Sequence, residues 1–188
     1  MKIDGSEKHA LATNLGRRSS QPAWSPDGEI VAAVLEGENG DGSGETIMLL
    51  DSSSGEPVGE IVPNEPGFIR GLSWTPDASQ ILFDWTAPKG PQQGIYSATP
   101  DRSSIERLSS CSQPGCSDLY PSVSPDGTLF TFTRGRCEEP GGDCSFGDVM
   151  VALIDGSDLR KLTSGSALDC CSAWQPIPSG AKGNKSSE

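Results

Sequence analysis

Short bursts of alternating apolar and polar residues recur along the chain, and each burst follows a turn signal. Val31 and Ala33 follow "SPDG", Ile81 and Phe83 follow "TPDA", and Phe130 and Phe132 follow "SPDG" again. Period-two alternation directly behind a turn signal predicts a β-hairpin. Before each turn stands a short stretch ending at Trp24, Trp74 or Val123. The turn chemistry is explicit: proline presets φ at its second position, aspartate tolerates the next conformation, and glycine takes positive φ freely. Tight reversals are therefore expected at Pro26, Asp27 and Gly28, at Pro76 and Asp77, and at Pro125, Asp126 and Gly127. Ala78 stands where the other two copies have glycine. A left-handed backbone there would carry strain of about 1 kcal/mol.

The phrase is periodic. Its prolines are Pro26, Pro76, Pro125 and Pro176, separated by 76 − 26 = 50, 125 − 76 = 49 and 176 − 125 = 51 residues. The fourth copy, "WQPIPSG", keeps Trp174 and Pro176 but has lost the Asp-Gly pair. The second half of each period repeats as well. Residues 46–62, 94–109 and 149–165 each hold an apolar run, an Asp/Gly/Ser turn and a second short run, and "KIDGSEKHALAT" at residues 2–13 has the same form. A constant period of this size marks a repeat architecture whose units bury their apolar faces only by stacking or circularising. Each period reads as four strands, a to d, joined by hairpins. No window carries a long apolar pattern at helical spacing, and 23 glycines with 15 prolines argue against long helices.

"AWSPDGEIVAAV", "PSVSPDGTLFTF" and "IDGSDLRKLT" resemble the repeats of TolB-like β-propellers, relatives of the WD-repeat propellers, over residues 2–176. The resemblance implies an all-β, partial β-propeller with about three complete four-stranded blades and partial blades at both ends. On this reading residues 1–13 are strands c and d of a partial blade. Residues 14–68, 69–117 and 118–168 are the complete blades, 169–178 a single a-type strand, and 179–188 a disordered tail. Propellers have four to eight blades. The expectation is a C-terminal part of a longer propeller. The alternatives are a homo-oligomer whose second copy completes the ring, and a four-bladed ring whose shared blade lacks strand b. Trp24, Trp74 and Trp174 recur with the fold and read as blade-packing residues.

Charge narrows the function. The formal net charge is −12, from 14 basic and 26 acidic residues, and the basic ones are scattered. This disfavours nucleic acid and anionic membranes as partners, because phosphate binding needs clustered lysine and arginine. No apolar stretch approaches the ~20 residues of a bilayer span. "KIDGSEKHAL" after Met1 has no apolar leader, which accords with a lost N-terminal portion.

Six cysteines carry the most information: Cys111 and Cys116 in "CSQPGC", Cys137 and Cys144 in "CEEPGGDC", and adjacent Cys170 and Cys171. In a four-stranded blade, d-to-a connections and b-to-c loops lie on one face, so all six are expected there. The paired spacings read as disulfides that close tight loops, each contributing about 2–3 kcal/mol. Cys170 and Cys171 could bridge each other or reach neighbouring loops. An even cysteine count at paired spacings points to an extracytoplasmic compartment. A zinc or redox site is the competing reading, weakened by the lack of C-x-x-C spacing and by a single histidine, His9.

Asn39, Asp41 and Ser43 alternate before Gly44 as in the first half of a calcium loop, but position twelve is Leu50, and a solvated hairpin tip is the competing reading. No other cofactor is expected. No G-x-S-x-G elbow is present, and the turn aspartates are explained by turns. The chain therefore reads as a non-catalytic, extracytoplasmic protein-binding scaffold. The alternatives are the accessory propeller of a peptidase-like protein and a disulfide-rich carbohydrate or metal binder.

Overall fold

The computed structural model describes residues 6, 10, 11, 15, 18–37, 44–87, 93–111, 113, 115–137, 144–165 and 167–176, with 137 and 144–146 as backbone. Among the described residues, twelve strands fall into three sheets. The first holds β1 (Ser19–Trp24), β2 (Ile30–Leu35), β3 (Thr46–Asp51) and β4 (Pro57–Ile61). The second holds β5 (Leu72–Trp74), β6 (Ile81–Trp85), β7 (Gly94–Ala98) and β8 (Ile105–Arg107), and the third β9 (Cys116–Val123), β10 (Leu129–Cys137), β11 (Cys144–Leu153) and β12 (Arg160–Lys161). Each is an antiparallel meander with strands in chain order, so every sheet is one a–b–c–d blade. The third blade starts at Cys116, two residues earlier than the boundary at 118 expected from the repeat.

The turn phrase builds the same hydrogen-bond cage three times. The hydroxyls of Ser25, Thr75 and Ser124 donate to the carboxylates of Asp27, Asp77 and Asp126 at 2.5, 2.7 and 2.6 Å. Each hydroxyl also accepts the N–H five residues ahead, from Ile30, Gln80 and Leu129. The turn N–H of Gly28, Ala78 and Gly127 donates to the carbonyl of Ser25, Thr75 and Ser124, at 2.9 Å in every copy. All three of those N–H residues are left-handed, with φ of 78°, 58° and 71°. Ala78 thus carries the strain anticipated for it.

Blades stack face to face. Ala32, Val34, Ile47, Leu49 and Ile61 of the first pack against Trp74, Ile81, Phe83 and Trp85 of the second. Leu82 and Ile95 of the second pack against Phe130, Phe132, Met150 and Ala152 of the third. Full burial of such side chains contributes about 1.5–3 kcal/mol each, so the seams between sheets form the core.

Residues 169–176 correct one expectation. They form no strand, although an a-type strand was expected at 169–178. A strand needs a ladder, and no b-type neighbour is present beside them among the described residues. They nevertheless take the a-strand place against the third blade: Trp174 Nε1 donates to the Ser122 carbonyl at 2.9 Å and the Ser172 hydroxyl to Thr131. The expected partial blade at 1–13 falls almost wholly outside the described residues, as does the tail at 179–188.

A Cβ added at Gly28 meets nothing within 4 Å, whereas at Gly127 it meets Pro76 Cδ at 3.3 Å. Gly28→Ala is therefore expected to lower stability by about 1 kcal/mol through backbone strain alone. Gly127→Ala should lose more. Urea midpoints of the two variants, measured side by side, check both the sign and the order.

Candidate interaction face

The register gathers the cysteines at one end of the third blade. Cys116 pairs with Arg136, next to Cys137, and Cys137 lies opposite Cys144. A parallel bridge from Gly147 to Leu168 brings the segment leading to Cys170 to the same end. Cys111 and Cys116 form a disulfide with Cα atoms 5.8 Å apart. The expected bridge between Cys137 and Cys144 concerns side chains that lie outside the described residues. Cys170 and Cys171 are exposed, with no disulfide joining either to another cysteine among the described residues. The Cα atoms of adjacent residues are about 3.8 Å apart, short of the 4.4 Å or so at which ordinary disulfides begin. Their sulfurs are 2.7 Å apart, and the Cys170 contact pushes the Cys171 thiol up to about 11.

The disulfide loop rests on a polar brace. Arg134 on β10 grips Asp118 of β9 through Nε at 2.7 Å and a second guanidinium nitrogen at 2.8 Å, and that nitrogen also donates to the Ser110 carbonyl. The Ser109 hydroxyl donates at 2.7 Å to Oδ2 of the same carboxylate, the oxygen that the second guanidinium nitrogen also engages. Asp118 is fully buried, and the Arg134 guanidinium lies 5.5 Å from the Phe132 ring centre. The bond to Asp118 raises the Arg134 pKa above its ordinary value. A bidentate, desolvated pair of this kind fixes geometry as well as charge.

A second feature lies on the a strands. Three residues before each aromatic position stand Gln21, Gly71, Tyr120 and Cys171. Gln21, Tyr120 and Cys171 are left-handed, with φ of 51°, 56° and 60°. The ladders of β1 and β9 shift register at this point. Pro22 and Pro121 follow and have no N–H for the ladder, so a bulge forms. The bulge frees the Tyr120 N–H, which donates to Asp84 of the second blade at 2.8 Å. Asp84 also accepts from the Arg70 N–H at 2.6 Å and is buried. Burial raises its carboxyl to about 7, against the opposing pull of the Arg70, Tyr120 and Gly71 N–H groups. The Asp84 cradle was not foreseen from the sequence; its only signal is an aspartate inside the apolar run "ILFDW".

The opposite end of the blades carries the turns. Hydroxyl bonds from Ser25, Thr75 and Ser124 hold Asp27, Asp77 and Asp126 below the ordinary carboxylate range. Asp51, Asp101 and Asp155, in the c–d turns, are lowered by the hydroxyls of Ser53, Thr99 and Ser157. A cleft of about 320 Å³ lies between the turns of the second and third blades, against Pro76 and Gly127. The calcium candidates Asn39, Asp41 and Ser43, and His9, lie outside the described residues. No group of three or more potential metal ligands occurs among the described residues.

Solved structures share this architecture. A prolyl endopeptidase aligns with a TM-score of 0.60 at 20% identity, covering 82% of this chain and 23% of that one. A chain of a nidogen/laminin complex aligns at 0.61 with 15% identity, covering 82% of this chain and 51% of that one. A protein assigned as TolB from Agrobacterium tumefaciens aligns at 0.53 with 23% identity, covering 87% and 68%. No family model matches, and no curated protein sequence matches. The shared feature is the β-propeller fold, TolB-like blades included, and the chain spans about a quarter of the prolyl endopeptidase and half of the nidogen/laminin chain.

Two outcomes follow. Asp84 has a folded pKa of about 7 against an ordinary value of 3.8, so the native state holds more protons between those limits. Its contribution is complete at low pH and is lost as pH rises from about 4 to about 7. The turn aspartates act oppositely, losing their contribution as pH falls below the ordinary range. Asp84→Asn should flatten the decline in melting temperature between about pH 4 and 7; an unchanged slope would refute the assignment. Cys111→Ser should lower stability by about 2 kcal/mol, a difference that vanishes when both proteins are melted under reducing conditions.

Proposed function

We propose that this chain is a non-catalytic binding module that presents the cysteine-bearing end of its third blade to a protein partner outside the cytoplasm. The observation that carries the reading is the bracing of that end: the Cys111–Cys116 disulfide is flanked in the chain by Ser110 and Asp118, and Ser109, Ser110, Asp118 and Arg134 form one hydrogen-bond network. Loops held on a rigid scaffold are where binding surfaces concentrate, and ordering them beforehand lowers the entropy lost on association. The disulfide is compatible with an oxidising compartment. A net charge of −12 favours a partner with a basic face and disfavours nucleic acid. In this reading no cofactor takes part.

A second reading is supported by the likeness to the prolyl endopeptidase: the chain is the accessory propeller of a peptidase-like protein. There the same face would meet a neighbouring domain in place of a separate partner.

Gln113 is exposed at the tip of the disulfide loop. A photocrosslinker placed there, in protein expressed in its native compartment, tests the first reading. The expected result is one defined protein adduct, reproduced with the purified partner and lost when Cys111 and Cys116 are both changed to serine. Absence of any adduct from position 113 would overturn the assigned face. Recovery of Cys111 and Cys116 as alkylatable thiols from the native source would overturn the compartment.

A further inference from the structure

The blades are joined by a repeated indole bond. Trp74 Nε1 donates to the Ala23 carbonyl at 3.2 Å, 51 residues back, and Trp174 Nε1 to the Ser122 carbonyl, 52 residues back. In both cases the acceptor is the residue just before the preceding blade's own aromatic position. The two ends of the series each hold an unused half of this bond. Trp24 occupies the indole position of the first blade, yet it is 61% exposed and its Nε1 has no acceptor among the described residues. Ala173, just before Trp174, occupies the acceptor position, and its carbonyl has no donor among the described residues.

We propose that Trp24 of one copy seats on the 169–176 segment of a second copy and donates to its Ala173 carbonyl, head to tail. Several observations favour this occupant. Trp24 at 61% exposure is incompatible with closure onto Ala173 within the same copy. Val31, Ala33 and Leu35, on the same sheet face as Trp24, are already buried, so the open part of the flank is its inner edge. That edge suits a single a-type segment better than a whole blade. Residues 169–176 are such a segment, largely exposed and without a ladder of their own. The contact continues an interface that the chain already makes twice. It is also reciprocal: the same junction forms at both ends, so two copies close into a two-fold ring without leaving a free half. Each copy supplies three blades and a fourth a-type segment, so two copies hold six complete blades, within the blade numbers that propellers use. The inference does not depend on the partner proposed above.

Sedimentation velocity of the full 188-residue chain over a wide concentration range is the first measurement. A reversible species of twice the 19.7 kDa chain mass is expected. Trp24→Ala should weaken association about tenfold or more, equivalent to about 1.4 kcal/mol, with the circular dichroism of the chain unchanged. Trp24→Phe, which keeps a ring and removes only the donor, should fall between and guards against a misfolded alanine variant. A photocrosslinker at position 173, in a mixture of isotopically heavy and light chains, should give heavy–light adducts on the peptide that contains Trp24. A monomer at every concentration would overturn the proposal, as would a dimer indifferent to both Trp24 variants. So would adducts from position 173 confined to one copy, which would mean a closed four-bladed ring, or adducts to another face.

Discussion

Each blade depends on one buried hydroxyl that faces two ways. At Ser25, Thr75 and Ser124 it donates to the turn carboxylate and accepts from the N–H five residues ahead, at or just before the start of the next strand. These residues are nearly inaccessible to water, so their polar groups need partners from within the chain. Meeting that need forces the reversal, and the reversal sets which residues of strand b face the preceding sheet and which the following one. A slip of one residue would turn Phe83 and Phe132 away from their neighbours, because side chains alternate between faces. The turn therefore governs the seam although it lies at its edge.

Magnitudes separate what stabilises the stack from what aligns it. A net hydrogen bond contributes about 0.5–1.5 kcal/mol, and a buried Leu, Ile or Phe about 1.5–3. The seams hold many of the latter and few of the former, so packing supplies most of the stability. The bonds between blades instead fix angle and height. Where the indole is missing, at Val123, another bond serves: the Val123 N–H donates to the Ser73 hydroxyl at 3.0 Å. The Tyr120 N–H reaching Asp84 adds a second tie across the same seam. The blade junction without a tryptophan is thus held by two backbone donors in place of an indole.

Legibility from sequence followed the range of the physics involved. The turns were readable because proline, aspartate and glycine act on their own backbone within a few residues. The Cys111–Cys116 bridge was readable because its reach is equally local. The a-strand bulges were not, since Tyr120 becomes left-handed only where Pro121 interrupts a ladder with β10, and that pairing is set by the whole sheet. Asp84 looked like an interruption of an apolar strand, because its donors come from residues 14 and 36 positions away. Residues 169–176 failed to be a strand for the same kind of reason: local pattern proposes a strand, but only a neighbour makes one.

The bulge has a consequence for how such a molecule can change. Gln21, Tyr120 and Cys171 share one backbone geometry and have nothing in common as side chains. Whatever the bulge does for the fold, it does with main-chain atoms. An amide, a phenol and a thiol are accepted there with the same φ. The first and third blades and the 169–176 segment thus each offer one site whose chemistry is uncoupled from the architecture, and new specificity can be written there by single substitutions while the scaffold stays the same.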